Sequence, residues 1–533
     1  MTQVQPKDVR RARGRTAASK SGGASCWLAF AAIAFVLVAP ARPAEARGKI
    51  PVMLQITENT VGDVHDPRIR SQDGNRIVFT SNGDVLGPGT APAHTEVYLY
   101  QTEAGQMIRV TNSGIEASWG ASRPTDQVFA SGRPEYVAFV STADLDPRVD
   151  NSDRNPEIFL WELESGVFHQ LTDTQAPVIN SDPYPSDSGK CIVFSSNGNL
   201  DNNDGTLDTN NPGTGFSNTD GSQEVFLFSL KTSTDFPYGD GSFTQVSNGP
   251  AGTVSSRPVI GGYWFPRQCQ TTAYMSDHDQ LSTGLTGTNI YTFDRNAPRT
   301  AVKTSEMVAP KEIPLGIQPG DYLYPNISSA SPFARGPFVV FQTDADLWRN
   351  GSTGNEMFRY RVFHPRMTQY TDIITGSVER PVVSDGGGII VFQSNGEILD
   401  PRRDARKGGE PPFNADGNYE IFRTKGRNKV YQITRTQGCD NTLPSVRDDG
   451  TAVTFRSTCD LVPGNNTGGM PQVFLYTQVK GDNPLSTANG CKVSEGCCNE
   501  ANGCFEVILG RKPKPRKKDC LDRPRSGCKP PPS

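Results

Sequence analysis

Five histidines are the scarcest of the side chains that could do chemistry in this sequence: His65, His94, His169, His278 and His364. Imidazole changes charge near neutral pH, so three of them on one face could bind a metal or move a proton in a lyase-like site. Oxygen ligands are more plentiful. Asp201, Asn203, Asp204 and Asp208 stand at short spacing in LDNNDGTLD, the hard donor set that Ca²⁺ takes. The EF-hand pattern, with its Gly at the sixth position, fits from no start there, so a solvated, turn-rich insertion is the favoured reading. No cofactor is expected, and Ca²⁺ is the metal that these oxygen donors would take. A basic group, Arg402, Arg403, Arg406 and Lys407, marks a second insertion. No G-x-S-x-G nucleophile motif occurs anywhere.

These residues must be positioned by something, and the chain repeats itself. A strand with a fixed follow-on recurs as RIVFTSNGDVL, YVAFVSTADLD, CIVFSSNGNLD, TAYMSDHDQL, FVVFQTDADLW, IIVFQSNGEIL and AVTFRSTCDLV. Its anchoring aromatics are Phe79, Phe139, Phe194, Tyr274, Phe341, Phe392 and Phe455. After a loop of variable length comes a strand that usually opens with Glu, as in EVYLY, EIFLW and EVFLF. Period-two alternation of β-branched and aromatic residues fits a pleated strand. Phrases such as RPVVSDGGG and LPSVRDDG precede the anchored strand, and Asp-Gly supplies the positive φ of a tight turn. A Q-[IVL]-[TS] phrase closes the unit, as in HQLTDT, TQVSN and YQITRT.

One unit is therefore four antiparallel strands: Pro-led, anchored, Glu-led and Q-[IVL]-T. The fold expected is all-β, a seven-bladed propeller of four-stranded antiparallel blades. The seventh unit lacks its Q-I-T phrase, while VMLQITENT (Val52–Thr60) carries one with no unit before it. The N-terminal strand is thus expected to complete the last blade and close the ring.

These phrases resemble the TolB-like, WD40-like (PD40-type) β-propeller repeats of exported bacterial proteins, over nearly all of residues 50–480. The resemblance implies the propeller fold. For function it leaves open an envelope scaffold, a peptidase accessory domain and a polysaccharide lyase. About 50 residues follow the last unit, too few for the hydrolase domain that peptidase propellers carry.

Blade connectivity puts the anchored-to-Glu-led loops and the blade-to-blade loops on one face, with the hairpin turns on the other. The insertions at 197–223 and 395–418 fall on the first face, with His65, His94 and His278. His169 belongs to an outer strand and His364 to the opposite turns. Loops on a rigid frame are where such folds bind. The column Asp84, Asp144, Asn199, Asp279, Asp346, Glu397 and Asp460 repeats in every blade and reads as a turn-capping device.

Arg10, Arg11, Arg13, Arg15 and Lys20 precede the apolar run Cys26–Ala39 and the A-x-A site Ala44–Ala46. Residues 1–46 read as a signal peptide, 47–482 as the propeller and 483–533 as a Cys-rich basic tail. The apolar run is short for a transmembrane anchor. Without Cys26, ten cysteines remain, an even number suited to an oxidising compartment. Cys439 with Cys459 and Cys191 with Cys269 are the disulfide pairs expected within the propeller. Cys491, Cys497, Cys498, Cys504, Cys520 and Cys528 would staple the tail, around the basic run RKPKPRKKD. A net charge of −4 gives no reason to expect nucleic acid. The expectation is a monomeric, periplasmic or extracellular scaffold without catalytic residues. It would bind a protein or polysaccharide of the envelope or extracellular space through the loop-rich face. A carbohydrate-active enzyme at the same face, or a structural envelope protein, is the alternative.

Overall fold

The computed structural model describes most of residues 49–480. Residues 1–48 and 481–533 lie outside the described residues, as do 126–134, 201–216, 231–240, 262–268, 295–305, 308–319, 329–336, 348–353, 399–413 and some shorter stretches. The expected signal peptide and Cys-rich tail are therefore not described. Seven four-stranded antiparallel sheets follow one another along the chain as propeller blades, and no helix occurs among the described residues. Blade one is Val64–Ile69, Arg76–Ser81, Glu96–Gln101 and Gln106–Arg109, paired in that order.

The aromatic of the second strand sets the register in every blade. Phe79 pairs directly with Tyr98 on the third strand, and their rings stack at 5.6 Å between centroids. The same stack recurs as Phe139–Phe159, Phe194–Phe226, Tyr274–Tyr291, Phe341–Phe358, Phe392–Phe422 and Phe455–Phe474. All these rings are buried between neighbouring sheets. Each such pair contributes about 0.5–1.5 kcal/mol beyond its area burial.

At the top of the second strand two positions repeat in all seven blades. Ser81 Oγ accepts the N–H of Gly83 and Asn82 Oδ1 accepts the N–H of Asp63. In blade four the same places are taken by Ser276 and Asp277, in blade seven by Ser457 and Thr458. The first side chain turns its own loop, and the second ties that loop to the entry of the first strand.

The ring closes as expected. Lys49–Gln55 pairs antiparallel with Gln472–Lys480 as the outer strand of blade seven, in the sheet that also holds Ala452–Ser457 and Asn441–Val446. Thr57 then supplies the hydroxyl of the missing phrase: it donates to Gln472 Oε1 at 2.7 Å and accepts the N–H of Val473 at 2.9 Å. Arg456 seals the seam to blade one by gripping Asp63 through Nε and Nη2 at 2.9–3.0 Å.

The aromatic-anchored strand is second from the axis, and the Pro-led strand is innermost. Pro lacks an N–H to offer a neighbour, so the strand with nothing beside it is where Pro costs least.

Candidate functional site

The innermost strands surround a cavity of about 420 Å³ to which all seven blades contribute. Six of those strands carry an X-Pro step at their midpoint: Asp66-Pro67, Asp182-Pro183, Arg257-Pro258, Tyr324-Pro325, Arg380-Pro381 and Leu443-Pro444. Blade two has Gly120-Ala121 instead. Each X-Pro step is a bulge at which the pairing register shifts. The X residue is left-handed in every case, with φ from 45° at Asp66 to 56° at Leu443, and Gly120 matches at 63°.

That conformation is costly. An L-residue pays about 1–3 kcal/mol for it, and a following proline disfavours helical backbone further. Neighbouring blades hold it in place. Arg380 N–H donates to Gln342 Oε1 at 2.7 Å and Leu443 N–H to Gln393 Oε1 at 2.8 Å. Tyr324 N–H points at Met275 Sδ, 3.2 Å away. Each donor is fixed by the residue just after the previous blade's anchoring aromatic.

The side chains so presented are not alike. Asp66 and Asp182 flank Gly120 on one arc. Arg257 and Arg380 flank Tyr324 on the other, with their guanidinium carbons 4.5 and 5.2 Å from its ring centroid. Asp66 is shared between Arg68 at 3.7 Å and Arg380 at 3.9 Å. Asp182 and Arg257 are exposed, and neither has an ion-pair partner among the described residues. The cavity is thus charged with opposite sign on its two sides, with one acid and one base left open.

His65 is the second residue of the first strand, not a loop residue. It lines the same cavity, with Nε2 3.5 Å from Asp63 Oδ2. His94 and His278 lie in the second-to-third-strand loops of blades one and four, so the three expected on one face are not gathered. His169 is on the outer strand of blade two, buried, with Nδ1 2.7 Å from Arg148 Nη2. Burial, and then the Arg148 charge, keeps its pKa below the usual imidazole value. Among the described residues no three His, Cys, Asp or Glu side chains converge as a metal site would need.

The remaining expected residues divide. Asp201, Asn203, Asp204, Asp208, Arg402, Arg403, Arg406, Lys407, His364 and the six tail cysteines lie outside the described residues. In the acidic column Asp84, Asp279 and Asp460 do cap turns. Asp84 Oδ1 accepts the N–H of Thr60 at 2.7 Å, Asp279 that of Gly284 at 2.6 Å and Asp460 that of Gly464 at 2.8 Å. In blade two the buried Asp146, not the exposed Asp144, does this work, accepting from Arg148 and Gln170 N–H. Disulfides join Cys439 to Cys459 and Cys191 to Cys269. Cys269 stands two residues before its strand Thr271–Ser276 rather than on it.

The Glu that opens the third strand is a buried hydrogen-bond acceptor. Glu157 is fully buried, held by Thr172 and Thr174 hydroxyls, the Thr174 N–H and the Asn155 and Asn180 amides. Thr172 Oγ1 also accepts the N–H of Ile158 at 2.9 Å. Burial pushes the Glu157 carboxyl up to about 7, and it raises Glu224 and Glu420 as well. Repetition at the same place in successive blades marks these acids as structural.

No protein-family model matches the chain, and no curated protein matches its sequence. Solved propellers resemble it in fold. An oligogalacturonate lyase from Vibrio parahaemolyticus is 10% identical over 81% of this chain and 98% of its own, with a TM-score of 0.46. TolB from Acinetobacter baumannii is 10% identical over 78% of each chain, with a TM-score of 0.32. An acylaminoacyl peptidase from Pyrococcus horikoshii is 9% identical over 76% of this chain and 51% of its own, with a TM-score of 0.41. Likenesses this distant place no activity on the present chain.

Proposed function

We propose that this is an exported, non-enzymatic propeller that binds a protein or polysaccharide of the envelope or extracellular space through the face bearing its long loops. The observation that carries this reading is the asymmetry of the two faces. The two longest connections of the propeller, 197–223 and 395–419, both join second to third strands, whereas the hairpin connections on the other face run from the tight 102–105 to 120–135 at most. Variable loops on a ring closed by strand pairing are a binding surface that can change without disturbing the frame. Two disulfides suit an oxidising compartment, in keeping with the signal-like N-terminus and the Cys-rich tail.

The test pairs retention with turnover. Immobilised mature protein is challenged with defined polysaccharides and envelope protein fractions. It is compared with a variant whose 201–214 and 399–413 segments are replaced by Gly-Ser linkers and with one altered in the 102–105 turn. Retention lost only in the loop variant supports the reading. Equal retention by all three contradicts it.

His65, Arg68 and Arg380, which line one cavity, favour a second reading, a carbohydrate-active enzyme of lyase type. Time-dependent depolymerisation of an acidic polysaccharide that disappears in His65→Ala would establish it in place of the first.

A further inference from the structure

Beyond any partner at the loops, we infer that the channel cavity binds a zwitterionic ligand, a free amino acid or short peptide with both termini uncapped. Its ammonium would be received at Asp182 and its carboxylate at Arg257. The inference rests on three independent features of one place. The first is a cavity of about 420 Å³ on the axis, within the range that takes a small ligand.

The second is the division of charge. Acids occupy one arc and the Arg257–Tyr324–Arg380 stack the other. On that ring Asp66 is already engaged by Arg68 and Arg380, which among the described residues leaves Asp182 and Arg257 without an ion-pair partner, on neighbouring blades. They do not bridge each other within ion-pair distance among the described residues. A ligand carrying both charges can complete both at once, whereas a simple anion leaves Asp182 repelling it and a simple cation leaves Arg257 doing so. The Tyr324 ring, 4.5 Å from the Arg257 guanidinium carbon, holds that group beside the cavity, where its N–H groups can take a carboxylate. Gly120, between the two acids, adds no side chain to the space.

The third is the backbone. A left-handed residue before proline is held at this level in six blades, and its cost is maintained while the side chain differs from blade to blade. Strain that is structural could be relieved by glycine anywhere around the ring; glycine stands only in blade two. Costly backbone that presents varied side chains to one cavity is the pattern of a recognition site.

The experiment is calorimetric titration of the mature protein with alanine and with di-, tri- and tetra-alanine. Each peptide is used free, N-acetylated and C-amidated, at low and high salt. Saturable binding of at least one uncapped ligand is expected, weakened tenfold or more by either cap. The variants carry the decisive signature. Asp182→Asn should bind weakly and become indifferent to N-acetylation; Arg257→Gln should bind weakly and become indifferent to C-amidation. Both positions are exposed, so unchanged melting temperatures will show that the fold is intact. Preference for the single amino acid or for the longer peptides tells which source the ligand has, and either supports the inference. Absence of millimolar binding by every uncapped ligand, equal binding of capped and free forms, or tighter binding of an acidic oligosaccharide than of any zwitterion would overturn it. The loop-replacement variant should titrate like the parent, which separates failure here from failure of the loop-face reading.

Discussion

The outer and inner rims of the blades repeat different things. Towards the outside the chemistry repeats. A Thr or Ser hydroxyl bridges a buried carboxylate and the next residue's N–H at Glu96–Val97, Glu157–Ile158, Glu224–Val225 and Glu356–Met357. Blade seven keeps the arrangement with Gln472 in place of Glu and with Thr57 arriving from the other end of the chain. At the channel the backbone repeats and the chemistry does not: one left-handed position presents Asp, Gly, Asp, Arg, Tyr, Arg and Leu in turn. Side chains that must be the same in each blade serve the fold. Side chains free to differ on an identical and costly backbone serve recognition.

The strongest way to break this contrast is at the outer rim. Removing residues 49–57 strips blade seven of its outer strand and of Thr57, and opens the ring. The melting temperature should fall by about 10 °C or more, with loss of a single cooperative transition in calorimetry. Retention of the parental transition would mean that the strand pairing contributes little to closure.

Next in size is Glu157→Ala, which leaves Thr172, Thr174, Asn155 and Asn180 without their shared acceptor in a dry site. Urea titration should show a loss of about 3–5 kcal/mol. Glu157→Gln should be tolerated at pH 8, because Gln472 fills that place in blade seven. A sharper form is its pH dependence. The folded carboxyl titrates near 7 against an ordinary value of 4.5. The native state therefore holds the extra proton between those values, and stability falls as pH rises from about 4.5 through 7. The parent should be more stable at pH 5 than at pH 8, by on the order of 2 kcal/mol from this group. Glu157→Gln should remove that part of the slope, and an unchanged slope would assign it elsewhere.

The two disulfides differ in the length of chain they close, 78 against 20 residues of separation. Cys191→Ser with Cys269→Ser should cost more than the corresponding Cys439 and Cys459 pair, by about 1 kcal/mol on loop-closure entropy. Equal losses would contradict that ordering. The smallest effect is expected from Leu443→Gly at the inner rim. Relief of the left-handed φ, offset by greater freedom in the unfolded chain, should stabilise by at most about 1 kcal/mol. A loss above that would show that Leu443 packs rather than merely lines the channel.

Most of the frame was legible in the sequence because each blade must meet the same local demands. An aromatic two positions before Ser, and an acid or amide after it, are the stacked ring and the turn caps read directly. The tail-like VMLQITENT announced the closure, since a Q-I-T strand has meaning only beside a Glu- or Gln-led strand. The channel was harder. Asp66-Pro67, Arg257-Pro258 and Leu443-Pro444 are plain in the sequence, yet local preference reads X-Pro as a turn, and the residue before proline is the last expected in left-handed backbone. Only the register shift between the first two strands, and a hydrogen bond from the neighbouring blade, put that residue on the axis. His65 is obscured for a related reason: its loop-like neighbours hide a strand that begins at Val64.

The decisive comparison is one titration carried out on Arg257→Gln beside the parent, with melting curves recorded on the same samples. Binding of the uncapped peptide weakened at least tenfold, with a melting temperature within about 1 °C of the parent, is the predicted result. Undiminished binding, or a melting temperature that falls as far as that of Glu157→Ala, would contradict the division between a frame held at the outer rim and recognition at the channel.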